Sequence, residues 1–385
     1  MRSTCVSVVA WRVQLLLPLT YYQYLDLPRD NMTRRIIAPL CIFLLLAVSA
    51  AGAEPPSFFK LTLLSTNDVH CRLASFRQTE TLPNGVQQTR MFGGAARQAG
   101  YANRVRAESS WPVLLLDSGD TTYWWNAMTN AFHGLANIDA MNAMGYVAME
   151  PGNHDFEWHY PATLSNLKAS KFPWVCANLI YEKSGESFVQ PYIIREYGGV
   201  RIAILGLITQ SVNDTNYAYS AARELGLRQL NPIEVARELV PELRKQADIV
   251  ILLSHLGVYQ DPELAKAVPG IDVILGGHSH VRLPTPTMIS VGTPTATWTG
   301  TVPMVAAGCY GGEMGRTDLI FHRDPGSGKY TLMSCKGRLV SLDDSIPDDP
   351  AIVRLVKAWE AKVKALPAPA PTAPGPAPVE APAAR

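Results

Sequence analysis

The feature that most constrains this chain is a recurring stop, in which short apolar runs end abruptly in clusters of Asp, Asn, His and Gly. They read "LTLLSTNDVH" (61–70), "VLLLDSGD" (113–120), "VILLSH" (250–255) and "DVILGGHSH" (272–280). Short apolar runs of this kind, ending in polar turns, read as strands. Helical stretches lie between them. "GGAARQAGYANRVRAE" (93–108) is helix-favouring and free of proline. "PIEVARELVPELRKQA" (232–247) places Pro232 in a first helical turn, with Pro241 expected to kink the helix. "YIIREYGGVRIAILGL" (192–207) predicts a hairpin around Gly198-Gly199, and the later "PMVAAG", "TDLIFH" and "YTLMSCKGRLVSL" suggest antiparallel strands. Strand alternates with helix, so the class is α/β.

In α/β sheets the ligand site lies beyond the carboxyl ends of the strands, so the polar residues that follow each run belong together. They are Asp68 and His70, Asp120, Asn153 and His154 from "PGNHDFEW", His255, and His278 and His280. Five of the chain's eight histidines fall in this set. Residues i and i+2 of an extended segment point the same way. Asp68 with His70, and His278 with His280, are therefore each expected to present two ligands to one centre. Carboxylate and amide oxygens mixed with imidazoles suit Zn, Mn, Fe or Co rather than Ca alone. The set exceeds what one tetrahedral ion uses, whereas two divalent ions sharing a bridging Asp would employ all of it. Glycines before Asp120, Asn153 and His278 let the backbone turn sharply there. Any one of these pieces alone also reads as ordinary hydrogen-bonding polarity; their conjunction at strand ends does not.

The 385 residues, 47% hydrophobic and 17% charged, can bury a large core in one big domain or two ordinary ones. Basic and acidic side chains number 34 and 33, for a formal net charge of +1. That balance gives no footprint for binding nucleic acid or an anionic membrane, so a phosphate-bearing ligand must be held by a local site.

The segment "MTRRIIAPLCIFLLLAVSAAGAE" (32–54) has the layout of a secretory signal peptide, residues 32–53, cleaved after Ala53. A membrane anchor is the competing reading, but the apolar run at 36–48 is shorter than the ~20 residues a bilayer needs, and no integral span is expected after cleavage. Residues 1–31, upstream of this complete signal, read as an extension that the native chain lacks. Arg34-Arg35 also fits a weak twin-arginine signal. Export, to the periplasm or beyond the cell, leaves Cys71, Cys176, Cys309 and Cys335 in an oxidising compartment. Their scattered spacing argues against a structural zinc site and for buried thiols with at most one disulfide. From Pro367 the Pro/Ala stretch "PAPAPTAPGPAPVEAPAAR" (367–385) has no means of forming a core.

"LTLLSTNDVH", "GGAAR", "LLLDSGD", "GNHDFEW", "ILLSHLG" and "GGHSH", in this order and spacing, resemble the metallophosphatase domain of the 5′-nucleotidase family, within the calcineurin-like metallophosphoesterases. "AAGCYGGEMGRTDLIF" is similar to the segment that closes that domain, which places its limits near residues 57–345. The resemblance implies a four-layer α/β/β/α sandwich with a dinuclear metal site. By it, Asp68, His70, Asp120 and His280 would hold one ion, and Asp120, Asn153, His255 and His278 the other. His154 would be the catalytic histidine, oriented by Glu157, where the family usually has Asp; the extra methylene is expected to shift the ring. His280 stands where other members often have Gln or Asn. Cys71 is unusual beside His70, and alternation would point it away from the metals.

Two-domain nucleotidases continue into a second domain that binds base and sugar. Here residues 346–366 resemble the start of its linker helix, after which the Pro/Ala stretch begins, so that specificity domain is expected to be missing. The implied activity is hydrolysis of a small phosphoester, most readily a nucleotide, by a hydroxide shared between two metals, with the metals, Asn153 and His154 stabilising charge on the phosphoryl oxygens. Trp124 and Trp125 are candidates for an aromatic wall that binds the substrate, with a packed loop anchor as the alternative. Two other readings remain open: a thiosulfohydrolase-like enzyme acting on a sulfur substrate, and a metal-binding protein without turnover.

Overall fold

The computed structural model describes residues 55–81, 84–123, 126–209, 220–292 and 300–367. The expected signal segment, the upstream extension, the Trp124-Trp125 pair and the Pro/Ala stretch beyond Pro367 lie outside the described residues.

Two sheets carry the fold. The first has, in spatial order, Tyr330–Ser341, Glu313–Arg323, Phe58–Thr66, Val113–Asp117 and Ala148–Met149. Its last three strands run parallel, and the strand Glu313–Arg323 joins them antiparallel. The second has Thr287–Ser290, Thr301–Ala306, Val273–Gly276, Ile249–His255, Val200–Ile208 and Tyr192–Tyr197, with its inner four strands parallel. The hairpin read from the sequence is present: Tyr197 pairs with Val200 across Gly198 and Gly199, whose φ angles of 58° and 80° are those of a two-residue hairpin loop. The run "PMVAAG" departs from expectation, since its strand is parallel to Val273–Gly276 on one side and antiparallel to Thr287–Ser290 on the other.

The central strands Val113–Asp117, Val200–Ile208, Ile249–His255 and Val273–Gly276 are largely apolar because both their faces are covered. Between the sheets, Leu61, Leu63, Leu114 and Leu116 meet Ile202, Ile204, Ile251 and Leu253, all fully buried. On the outer face of the first sheet, Leu64 and Leu115 pack against the helices Ala95–Glu108, Leu135–Met144 and Pro350–Lys364 through Ala102, Ile138 and Trp359. On the outer face of the second, Leu205, Val250, Leu252 and Ile274 meet Val240 and Leu243 of the helix Pro232–Gln246. That is an α/β/β/α sandwich. Each fully buried aliphatic side chain contributes roughly 1.5–3 kcal/mol relative to exposure.

The helix Pro232–Gln246 continues through Pro241, held by its packed face and by the Asn231 side chain, which accepts from the Ile233 and Glu234 amides at its start. The helix Pro350–Lys364 begins in the same way, with Asp349 accepting from Ala351 and Ile352. Its Trp359 indole donates to Asp139 at 3.1 Å, which ties the end of the described chain to the outer helical layer. Cys71, Cys176, Cys309 and Cys335 are all free thiols. Among the described residues no helix is long and apolar enough to cross a membrane.

Candidate metal centre

The polar clusters gather where the strands end. Asp68 and His70 follow Phe58–Thr66, Asp120 follows Val113–Asp117, and Asn153 and His154 open a short 3-10 turn after Ala148–Met149. From the second sheet, His255 is the last residue of its strand, and His278 and His280 follow Val273–Gly276. The site therefore spans the carboxyl ends of both sheets.

Its backbone corrects the sequence reading. Asp68, His70, Asp120, His278 and His280 have φ angles of 50°, 49°, 55°, 70° and 57°, so they lie in left-handed turns, where alternation along an extended strand does not apply. The same holds for Cys71, at φ 60°. Its buried Sγ accepts from the Tyr123 amide at 3.4 Å. Left-handed non-glycine residues persist only where their surroundings over-determine them. Here the amides of Asp68, His70 and Cys71 donate to the carbonyls of Gly119, Asp120 and Thr121 at 2.8–2.9 Å, so the first two loops zip together. Gly152 permits the close approach of the third, since a Cβ there would collide with Asp120 Oδ1.

Two groups of ligand atoms result. Asp68, His70 and His280 form one, and Asp120, His255 and His278 the other, with the atoms of each within 4.8 Å of one another. His70 Nε2 and His280 Nε2 are 3.0 Å apart, and His280 Nε2 is 3.4 Å from Asp68 Oδ1. His255 Nε2 lies 3.2 Å from Asp120 Oδ2 and 3.2 Å from Asn153 Oδ1, which brings Asn153 into the second group. The His255 Nδ1 faces the Ser118 carbonyl at 2.6 Å, and that bond turns Nε2 toward the ligand atoms. Asp120 lies at the junction, its carboxylate acting on His255, His154 and His70 alike. The rings of His70 and His154 are 5.1 Å apart.

The electrostatics are those of a cation-binding cluster. Asp120 is held well below the usual carboxylate range: burial opposes this, but the charges of His255 and His154 outweigh it. Burial also disfavours charge on His255 and His280, yet Asp120 raises the former, and Asp68 with Cys309 the latter, to about 10. Burial prevails at His70 and His278, both lowered to about 4. Mixed imidazole, amide and carboxylate donors in two neighbouring groups fit divalent ions, which would take the place of the protons that His255 and His280 carry.

His154 stands at the edge of this cluster. Its amide donates to Asp120 Oδ1 at 2.8 Å, its Nε2 is 3.8 Å from Asp120 Oδ2, and its Nδ1 is 2.6 Å from Glu157 Oε1. The shift expected from the longer Glu157 side chain does not prevent that contact.

Some supporting residues escaped the sequence reading. Asp155, buried between His154 and Phe156, accepts from the amides of Asp120, Gly152 and Thr122 and from the Thr122 hydroxyl, at 2.8–3.0 Å. Asn67 donates to Asp68 Oδ2 and to the Gly308 carbonyl, both at 2.7 Å, and so fixes the first loop to the last. Tyr123 and Tyr310 stand beside His70, at ring separations of 5.0 and 5.7 Å. Asp155 is an acid inside a motif already singled out, which was a usable signal; Tyr310 offered none.

Residues 61–282, more than half the chain, match the calcineurin-like phosphoesterase family. The chain is 30% identical over 330 residues to a snake venom 5′-nucleotidase of Gloydius brevicauda, covering 78% of this chain and 51% of the relative. It is 29% identical over 341 residues to the human 5′-nucleotidase, covering 83% and 56%. Among solved structures, the 5′-nucleotidase precursor of Thermus thermophilus superposes with a TM-score of 0.68 at 29% identity, over 80% of this chain and 60% of that one. The chain thus spans about half the length of these curated relatives.

Proposed function

The chain belongs to the calcineurin-like phosphoesterases, and from that premise we propose that it is a metal-dependent hydrolase of small phosphoesters, with nucleoside monophosphates as the first substrates to examine. The observation that carries this reading is the pair of neighbouring ligand groups, Asp68 with His70 and His280, and Asp120 with His255 and His278, with His154 beside Asp120. The relatives named 5′-nucleotidase support the choice of nucleotides.

Asp68, His70 and His280, with Asp120, would hold one divalent ion, and Asn153, His255 and His278, with Asp120, the other. When bound, two such ions supply Lewis acidity and lower the pKa of water. The rest is the work of the chain. The left-handed turns hold the ligand side chains in place before substrate arrives, so little reorganisation accompanies the reaction. Asn153 and His154 would stabilise the charge that develops on the phosphoryl oxygens. Glu157 orients His154 through Nδ1, so Nε2 points into the site, where a proton on it would serve the departing oxygen. The segment 32–53 supports action outside the cytoplasm.

The test is a panel on the metal-loaded protein: AMP, an aryl phosphate, a cyclic nucleotide and a thiosulfonate ester. Hydrolysis of the phosphate esters that a chelator abolishes is the expected result. Turnover confined to the thiosulfonate would establish the sulfur reading instead, and turnover of nothing would leave a metal-binding protein.

A further inference from the structure

A cavity of about 290 Å³ opens beside the metal centre on the His280 side. Its walls include Phe76 and Phe92, which face one another across the hairpin of Phe76–Thr81 and Gln87–Phe92, together with Tyr310 and the Arg282 and Glu313 pair. His280 belongs to both the cavity and the ligand set, so whatever fills the cavity touches the metal centre.

We propose that this cavity receives the group esterified to the phosphoryl, and that the group it fits is an uncharged aromatic ring, as in a nucleoside or an aryl alcohol, stacked on Tyr310. This rests on the phosphoester reading above. Tyr310 is 39% exposed, yet its backbone is fixed: φ is 61° and its amide donates to the Asp68 carbonyl at 2.7 Å. That bond holds the ring 5.8 Å from His280 and 5.7 Å from His70, beside two residues of the ligand set. The Arg72 guanidinium lies 5.0 Å from the Tyr310 ring and 5.0 Å from the Phe76 ring, and so braces the two aromatic walls. Phe76 in turn lies over Gly312, where a Cβ would come within 3.3 Å of Cζ.

Size and charge select the occupant. The volume lies at the lower end of small-molecule pockets, which is room for a single ring system rather than a long chain. Arg282 and Glu313 neutralise one another through two hydrogen bonds, so this wall favours a neutral ring over a second phosphate. Aromatic pairs of this kind are worth a few-fold to about tenfold in affinity.

The experiment compares phenyl phosphate with glycerol 3-phosphate as substrates, and measures adenosine binding to the metal-loaded protein by calorimetry. Tyr310→Asn removes the ring and keeps a residue that tolerates the left-handed backbone; Phe76→Leu removes the second wall. The proposal expects the ratio of kcat/KM for phenyl phosphate over glycerol 3-phosphate to fall about three- to tenfold in Tyr310→Asn, mainly through KM. It expects adenosine affinity to weaken by a similar factor in both variants. An unchanged ratio in a protein that hydrolyses both esters would overturn the cavity assignment and leave the phosphoester reading standing. If neither ester is hydrolysed, the phosphoester reading fails by itself, and adenosine binding unaffected by either substitution would still overturn the assignment.

Discussion

The Nδ1 of His154 lies 2.6 Å from Oε1 of Glu157, three residues further along the chain. A carboxylate at this distance fixes the orientation of the ring. The 3-10 turn Asn153–Phe156 brings Glu157 back beneath His154, with helical angles at Glu157 itself, so the longer side chain reaches without moving the histidine out of the site. Glu157→Ala is expected to lower kcat by about 10–100-fold with KM little changed. Glu157→Gln, whose amide oxygen still accepts from Nδ1, is expected to recover most of that loss. Equal losses in the two variants would show that the contact has no orienting role.

His154→Ala tests the residue itself. Metal analysis of this variant should find the same ion content as wild type, while turnover falls by about two to four orders of magnitude, the usual contribution of a positioned acid or base. A variant that lost its ions would move His154 into the ligand set.

Asp155 ties two loops together by their amides, and its replacement should be felt in the fold before the chemistry. In Asp155→Asn an NH₂ group must face amide donors that now meet an oxygen. The expected cost is about 1–3 kcal/mol in denaturant unfolding, the penalty of a buried donor left unmade, with weaker metal binding alongside. An unfolding midpoint equal to that of wild type would contradict the account of these loops.

Asp261 makes a pH prediction. It is fully buried, accepts from the Ser254 hydroxyl, and burial raises it from the ordinary aspartate value to about 7, against the lowering effect of Ser254 and His255. The folded state therefore binds its proton more tightly than the unfolded chain does. That contribution to stability is whole below about pH 4 and is lost as pH rises through about 7. The stability of wild type relative to Asp261→Asn should fall across that window and level off above it. A difference between the two that stays constant from pH 4 to 8 would rule this out.

Much of this was legible in the sequence because the apolar runs, buried on both faces, carry no competing signal, and because each run stops where its ligand begins. The ligand residues from Asp68 to His280 could be collected that way. What the sequence misled on was their geometry. Period-two alternation holds only in extended backbone, whereas Asp68, His70, His278 and His280 lie in left-handed turns, the first three held by hydrogen bonds between loops distant in the chain. The roles of Asn67 and Tyr310 were hidden for the same reason, since they lie in contacts made across loops, whereas Asp155 stood as an acid inside a motif already singled out. The helix that contains Pro241 runs on past it, sustained by packing that a local rule does not see.

The central claim is that Asp120 joins two ligand groups into one dinuclear site on which phosphoester hydrolysis depends. Its most direct test is to titrate metal-free protein with a divalent ion while ion content and phenyl phosphate hydrolysis are followed together, for wild type and Asp120→Ala. The account predicts that wild-type activity rises from nothing and saturates at about two bound ions per chain, and that Asp120→Ala gains neither ions nor activity over the same range. Two ions retained by Asp120→Ala, or full wild-type activity in the metal-free protein, would contradict it.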